Sequence, residues 1–127
     1  RLYDSEIIYT GEGWNASVAV SRQSNGVLNY HNAGKVQASS EPQDMRLQRM
    51  LGHMTTLIPK NPESVLVIGC GAGVTAGSFI PYPELQRLVI CEIEPLIPQR
   101  VAPYFACIAD SPSAAFCTSG GKSAISL

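Results

Sequence analysis

The spacing of apolar and polar positions changes twice along the chain. Ala16 to Val20 alternates within a β-prone run, Gly26 to Tyr30 follows, and Lys35 to Ala38 makes a third short run. Ser24-Asn25-Gly26 and Asn32-Ala33-Gly34 separate these runs. Asn and Gly tolerate positive φ, so both segments read as hairpin turns. The first 40 residues therefore predict a small antiparallel β-meander. After Ser40 the period lengthens. Leu47, Met50, Leu51, Met54, Leu57 and Ile58 recur at helical spacing. Ser40 and Gln43 have the spacing of a capping box, Pro42 sits in the first turn, and Pro59 closes the segment. The Met and Leu stripe is expected to pack into the core.

Val65-Leu66-Val67-Ile68 is a continuous apolar run that stops at glycine, the pattern of a strand buried on both faces of a parallel sheet. Thr75 to Ile80 reads as a short helix closed by Pro81, and Leu88 to Cys91 as a second buried strand ending at Glu92 and Glu94. Pro95 to Phe105 reads as a helix interrupted by Pro98 and Pro103. Cys107 to Leu127 is rich in Ser, Ala and Gly, shows neither period, and receives no assignment. The expected fold is α/β: an antiparallel β-meander followed by a partial Rossmann-like parallel sheet. The expected divisions are 1–40 for the meander, 41–60 for a linking helix, 61–106 for the Rossmann-like part and 107–127 for an atypical tail.

Composition narrows this picture only a little. The 127 residues are 45% hydrophobic and 15% charged, so the chain should fold. A net charge of -1 makes nucleic acid a poor partner. No apolar run of ~18 residues predicts a membrane span. The chain starts at Arg1 without a leader-like segment and without Met, which fits a piece of a longer product. The Asn15-Ala16-Ser17 sequon is therefore read as incidental. Cys70, Cys91, Cys107 and Cys117 form no C-x-x-C pair, and the histidines are His31 and His53, so a metal site is not expected. Cys70 and Cys91 are expected to be buried thiols, consistent with a cytoplasmic setting.

The chemistry centres on Val65 to Gly73, a strand running into a glycine loop. Gly69, Gly71 and Gly73 let the backbone turn tightly and let a ligand lie against it. The next helix start offers N–H groups to a polar ligand end. Glu92, at the end of the following strand, stands where an acid can accept bonds from two ribose hydroxyls. The third glycine comes too early for the dinucleotide pattern, so the spacing suggests a nucleoside without a pyrophosphate. Gly120-Gly121-Lys122-Ser123 superficially resembles a phosphate loop, but Phe116 occupies the position of its first glycine.

The stretches GEGWNASVAV, NAGKVQAS, QDMRLQRMLGHMTTLI, VLVIGCGAGVTAGS and CEIEP resemble, in that order, the polyamine aminopropyltransferases, or spermidine synthases. The likeness runs from about Tyr9 to Phe105 and extends to the spermidine-synthase-like domains of some bacterial proteins. It implies a β-meander domain, a linking helix and a Rossmann-like domain, with the active site between them. It implies aminopropyl transfer from decarboxylated S-adenosylmethionine to a polyamine acceptor, with methylthioadenosine released, no metal or tightly bound cofactor, and a homo-oligomer. By resemblance Glu92 holds the ribose hydroxyls, while Gln48 and Gln37 lie near the nucleoside, although each is also explained as an ordinary polar position. His53 reads as structural, and Lys35 and Asp44 as surface charges.

Departures from the family pattern qualify the activity. Ala72 stands where the synthases carry a loop Asp that attracts the cationic substrate, and losing such a contact costs about 1.5–3 kcal/mol. Asn15 replaces a glutamine and Leu47 a tyrosine. Ser123 lies near the place of an adenine-binding Asp, and the family's catalytic Asp falls beyond Leu127. Loss of a general base typically costs about 10²–10⁴-fold. The expectation is a truncated or frameshifted chain, cut after its second parallel strand, impaired in activity and self-associating through the exposed edge. A methyltransferase-like protein using S-adenosylmethionine and a non-enzymatic oligomeric remnant are the alternatives.

Overall fold

The computed structural model describes residues 4–105 and, as backbone, residues 115–118. The N-terminal part is an antiparallel sheet of β1 (Ser5–Glu12), β2 (Ser17–Gln23), β3 (Leu28–Asn32) and β4 (Lys35–Ser39), in that order. The Asn-Gly turn forms as expected: Gly26 has φ 86°, and the Gln23 amide donates to the Val27 carbonyl at 2.8 Å. The second turn needs positive φ at both Ala33 (48°) and Gly34 (77°). That double requirement is the mark of a tight hairpin whose twist suits its strands. Alternation buries Val18, Val20 and Tyr30, and Val20 pairs directly with Tyr30.

Helix α1 (Pro42–Leu57) forms where the period predicts it, with Pro42 in its first turn, but its start differs. Glu41 is the N-cap and gives no side-chain cap. The Ser40 hydroxyl instead accepts the Leu28 amide at 2.8 Å, tying the helix start to β3. Asp44 is not a free surface charge. Its carboxylate accepts from the amide and hydroxyl of Ser39 at 3.1 and 2.7 Å.

The larger correction concerns the face of α1 that turns inward. Gly52 and Thr56 are buried, whereas Leu47, Met50, Leu51, Met54, Leu57 and Ile58 are 54–80% exposed. The cause is close packing against α2 (Val74–Gly77). A Cβ at Gly52 would come within 2.7 Å of the Ser78 Cβ and 2.9 Å of the Thr75 carbonyl oxygen. Thr75 Oγ1 donates to the Gln48 carbonyl at 2.9 Å. This small, polar face docks, so the apolar stripe faces away.

The second sheet is parallel, in the order β5 (Ser64–Ile68), β6 (Arg87–Glu92), β7 (Ala115–Thr118). On its inner face Leu88 and Ile90 are buried, with Val65 and Val67 packed against the same core. On its outer face Leu66 is 61% and Ile68 85% exposed, and Cys91 is exposed as well. The expected burial on both faces therefore fails, and so does the expected burial of Cys91. Strand β7 corrects the tail: the sheet does not stop at two strands, because Val89 to Glu92 pair with Ala115 to Thr118. The rest of the tail, including Gly120 to Ser123, lies outside the described residues.

Helix α2 is a single turn rather than the expected Thr75–Ile80 helix. The segment after β6 forms a wide π-type turn at Ile97–Val101 and a tight 3₁₀ turn at Ala102–Phe105. Pro98 falls in the first turn, where its missing N–H does no harm, whereas Pro103 lacks the N–H that would carry a regular ladder onward, so the helix does not continue past Val101. One continuous core joins Val20 and Tyr30 of the meander to Ile90, Ile97 and Val101. Among the described residues, no helix is long and apolar enough to cross a membrane.

Candidate functional site

Where the two sheets meet, a cavity of about 350 Å³ opens between the meander and the glycine loop. Its walls include Asn15, Tyr30, Asn32 and Gln37 from one side and Gly71, Glu92 and Glu94 from the other. The loop takes its shape from its glycines: φ is 84° at Gly69, 53° at Gly71 and 80° at Gly73. Side chains rarely adopt these values. A Cβ at Gly69 or Gly71 would meet nothing within 4 Å, so these positions border open space. The Gly69 amide donates to the Cys91 carbonyl at 2.8 Å, fixing the loop to the end of β6, and the Gly73 amide donates to that of Cys70 at 2.9 Å, closing a turn within the loop.

Two buried carboxylates organise the floor. Glu92 accepts the Cys70 amide at 2.7 Å on one oxygen and the Glu94 amide at 3.0 Å on the other. Each oxygen keeps lone-pair capacity for a further donor. Glu94, 1% exposed, accepts the amides of Asn15 at 2.8 Å and Leu96 at 3.2 Å. The Asn15 amide, helped by those of Leu96, Ala16 and Trp14, holds the Glu94 carboxyl below its ordinary pKa against the opposing effect of burial. A Cβ at Gly13 would fall on this carboxyl, so the glycine allows the β1–β2 turn to seat there. Asn15 Nδ2 also donates to the Ile93 carbonyl at 2.6 Å. The turn is thereby bound to the Rossmann-like part by one anion and one amide.

Two neighbours are shifted the other way. Burial, with the nearby Glu92 charge, pushes the Cys70 thiol up to about 12. Burial also raises the Tyr30 phenol, although the Asn32 amide, 3.2 Å from its oxygen, partly offsets this. The described residues contain no group of three or more His, Cys, Asp or Glu able to hold a metal ion.

Of the site residues expected from the sequence, Gln37, Gly71 and Glu92 come together on the cavity wall. Gly69 and Gly73 shape the loop behind it. Gln48 does not line the cavity; its Nε2 donates to the Ser39 carbonyl at 3.3 Å. His53 pairs through Nδ1 with the Tyr82 hydroxyl at 2.8 Å, in keeping with a structural role. Ala72 is buried at 2% exposure. Glu94, Tyr30 and Asn32 were not expected. No pattern in the sequence singles out Glu94 as a site residue, because the approach of Gly13 to its carboxyl exists only in the folded chain.

No protein-family model matches the chain. The polyamine aminopropyltransferase of Leptospira biflexa is 37% identical over 62 residues, which are 49% of this chain and 22% of that protein. The polyamine aminopropyltransferase of Thermotoga maritima is 26% identical over 86 residues, 65% of this chain and 29% of that one. The chain resembles the polyamine aminopropyltransferases. The solved spermidine synthase of Thermotoga maritima superimposes with a TM-score of 0.79 at 21% identity, over 90% of this chain and 41% of its own. A spermidine synthase in complex with the transition-state analogue AdoDATO gives 0.78 at 21% identity, over 89% and 39%. The aminopropyltransferase-like fold therefore extends over most of the chain, while the chain spans less than a third of those two curated relatives.

Proposed function

We propose that the cavity binds an adenosyl nucleoside in the manner of a spermidine-synthase-like protein, with decarboxylated S-adenosylmethionine as preferred ligand. The observation that carries this is Glu92, a buried carboxylate fixed by two backbone amides beside the open glycine loop. Ribose hydroxyls would donate to its remaining lone pairs. Gly71 would let the nucleoside lie against backbone, and Gln37 and Asn32 would supply polar contacts from the meander. The named lining contains Glu92 and Glu94 but no Lys, Arg or His, which favours a cationic ligand over one that carries its own carboxylate.

Aminopropyl transfer to a polyamine acceptor is the activity we infer from the resemblance. It requires a general base to take the proton of the attacking amine, and the residues named above serve the nucleoside side of that reaction. A methyltransferase-like reading has one observation in its favour, Ala72 in place of a loop carboxylate. Calorimetric titration with methylthioadenosine, S-adenosylmethionine and its decarboxylated form tests both. Tighter binding of the decarboxylated form, lost in Glu92→Gln, supports the first reading. Preference for the carboxylated form supports the second, and no binding at millimolar ligand overturns both.

A further inference from the structure

We propose, on the strength of the nucleoside reading above, that the Tyr30 hydroxyl is a specificity-determining donor that reads a ring acceptor of the ligand which Glu92 leaves untouched. Tyr30 lies in β3, between β2 and β4, where it pairs with Val20 on one side and Ala38 on the other. These short neighbours make room for its ring, and the residue is 2% exposed. The strand register slips directly after it: His31 pairs with Val36, so Gln37 is the extra residue on β4. A bulge of this kind re-aims side chains, and both Tyr30 and Gln37 line the cavity.

The neighbour of the phenol sets the direction of its hydrogen bonding. Residues two apart share a face of a strand, so Asn32 reaches back and its Nδ2 donates to the Tyr30 oxygen at 3.2 Å. That contact uses a lone pair and leaves the hydroxyl proton unspent. Among the described residues it is the only hydrogen bond of the Tyr30 hydroxyl. A buried tyrosine hydroxyl ordinarily finds a partner, and here its proton faces a cavity instead of a protein acceptor. Burial raises the phenol's pKa, so the proton is retained at neutral pH. The other buried polar side chains of the wall, Glu92 and Glu94, are acceptors. Tyr30 is therefore the buried side-chain donor of this lining. It matches what a nucleoside has left once its ribose hydroxyls donate to Glu92. The remaining acceptors are uncharged ring atoms, the ribose oxygen and the ring nitrogens of the base. A ligand lacking the acceptor in line with Tyr30 would leave the buried proton unpaired, and that cost is what discriminates.

Calorimetric titration of the 127-residue chain with methylthioadenosine, which carries neither carboxylate nor ammonium, tests this. It is run beside analogues in which one ring acceptor, the ribose oxygen or N1, N3 or N7 of the base, is replaced by carbon. The wild type should bind one of these analogues about three- to tenfold more weakly than the parent. Tyr30→Phe should bind the parent more weakly by the same factor and no longer tell that analogue from it. Asn32→Asp, whose carboxylate can accept the phenol proton, should lose the same discrimination with the ring still in place, and it stands in if Tyr30→Phe does not fold. A Tyr30→Phe chain that binds the parent as tightly as wild type would overturn the role of Tyr30. So would a wild type that treats all the analogues alike, or discrimination that persists in both variants. Binding that is lost in Glu92→Gln but unchanged in Tyr30→Phe sinks that role alone and leaves the nucleoside reading standing. No binding of methylthioadenosine by the wild type at millimolar ligand overturns both.

Discussion

The two faces of the parallel sheet are built from almost the same residues and meet opposite surroundings. Leu88 and Ile90 on the inner face are 1% and 0% exposed, sealed by the meander and the turns after β6. Leu66 and Ile68 on the outer face are 61% and 85% exposed. Helix α1 repeats the contrast, with Gly52 and Thr56 inside and Leu47, Met50, Leu51, Met54 and Leu57 outside. Hydrophobicity alone does not decide which side of an element becomes core. The deciding contacts here are specific and partly polar: Gly52 against Ser78, Thr75 on the Gln48 carbonyl, and Glu94 on the β1–β2 turn.

Truncation on the two faces offers the largest test. Ile90→Ala should cost about 2–5 kcal/mol in urea unfolding, since it opens a cavity in closed packing. Ile68→Ala should stay within ~0.5 kcal/mol. Equal losses would mean that the outer face is covered in solution. The next effect belongs to the carboxylate joining the two parts. Glu94→Gln gives up hydrogen bonds to a charged acceptor and should cost about 1–3 kcal/mol at neutral pH. The Glu94 pKa is lowered in the fold, so its contribution is present above the unfolded carboxylate pKa and is lost as pH falls through the folded one. Stability curves of wild type and Glu94→Gln, measured from pH 7 into acid, should therefore converge. A constant gap would show that Glu94 acts through packing instead.

The smallest effect concerns the thiols, which separate inner from outer without altering stability. At pH 8 an alkylating reagent should modify Cys91, which is exposed, and spare Cys70, which is buried with its pKa raised to about 12. Peptide mapping reads both sites at once. Equal labelling of Cys70 would show that the glycine loop opens readily.

How much of this was legible in the chain follows from the range of the forces involved. The meander could be read because Asn25-Gly26 and Ala33-Gly34 set their turns locally. Strands β5 and β6 could be read because β-prone runs end at a glycine loop and at acids. The inward face of α1 could not, because a contact between Gly52 and Ser78 decides it over a long stretch of chain. Strand β7 could not either: four residues, Ala115 to Thr118, are too few to show a period, and pairing with β6 defines them. For the site, Gly71, Gln37 and Glu92 were visible as motif positions. Glu94 was not, because its role depends on a turn about 80 residues earlier folding back onto it.

That turn also carries the chain's single tryptophan. Trp14 is 97% exposed, and its backbone amide is among those that lower the Glu94 pKa. Its indole therefore stands in water, one residue before Asn15 of the cavity wall and far from the usual tryptophan position in a core. Intrinsic tryptophan emission should already resemble that of an unfolded chain and change little as the fold melts, while circular dichroism follows the sheets; a ligand or partner that covers this turn would be what shifts it.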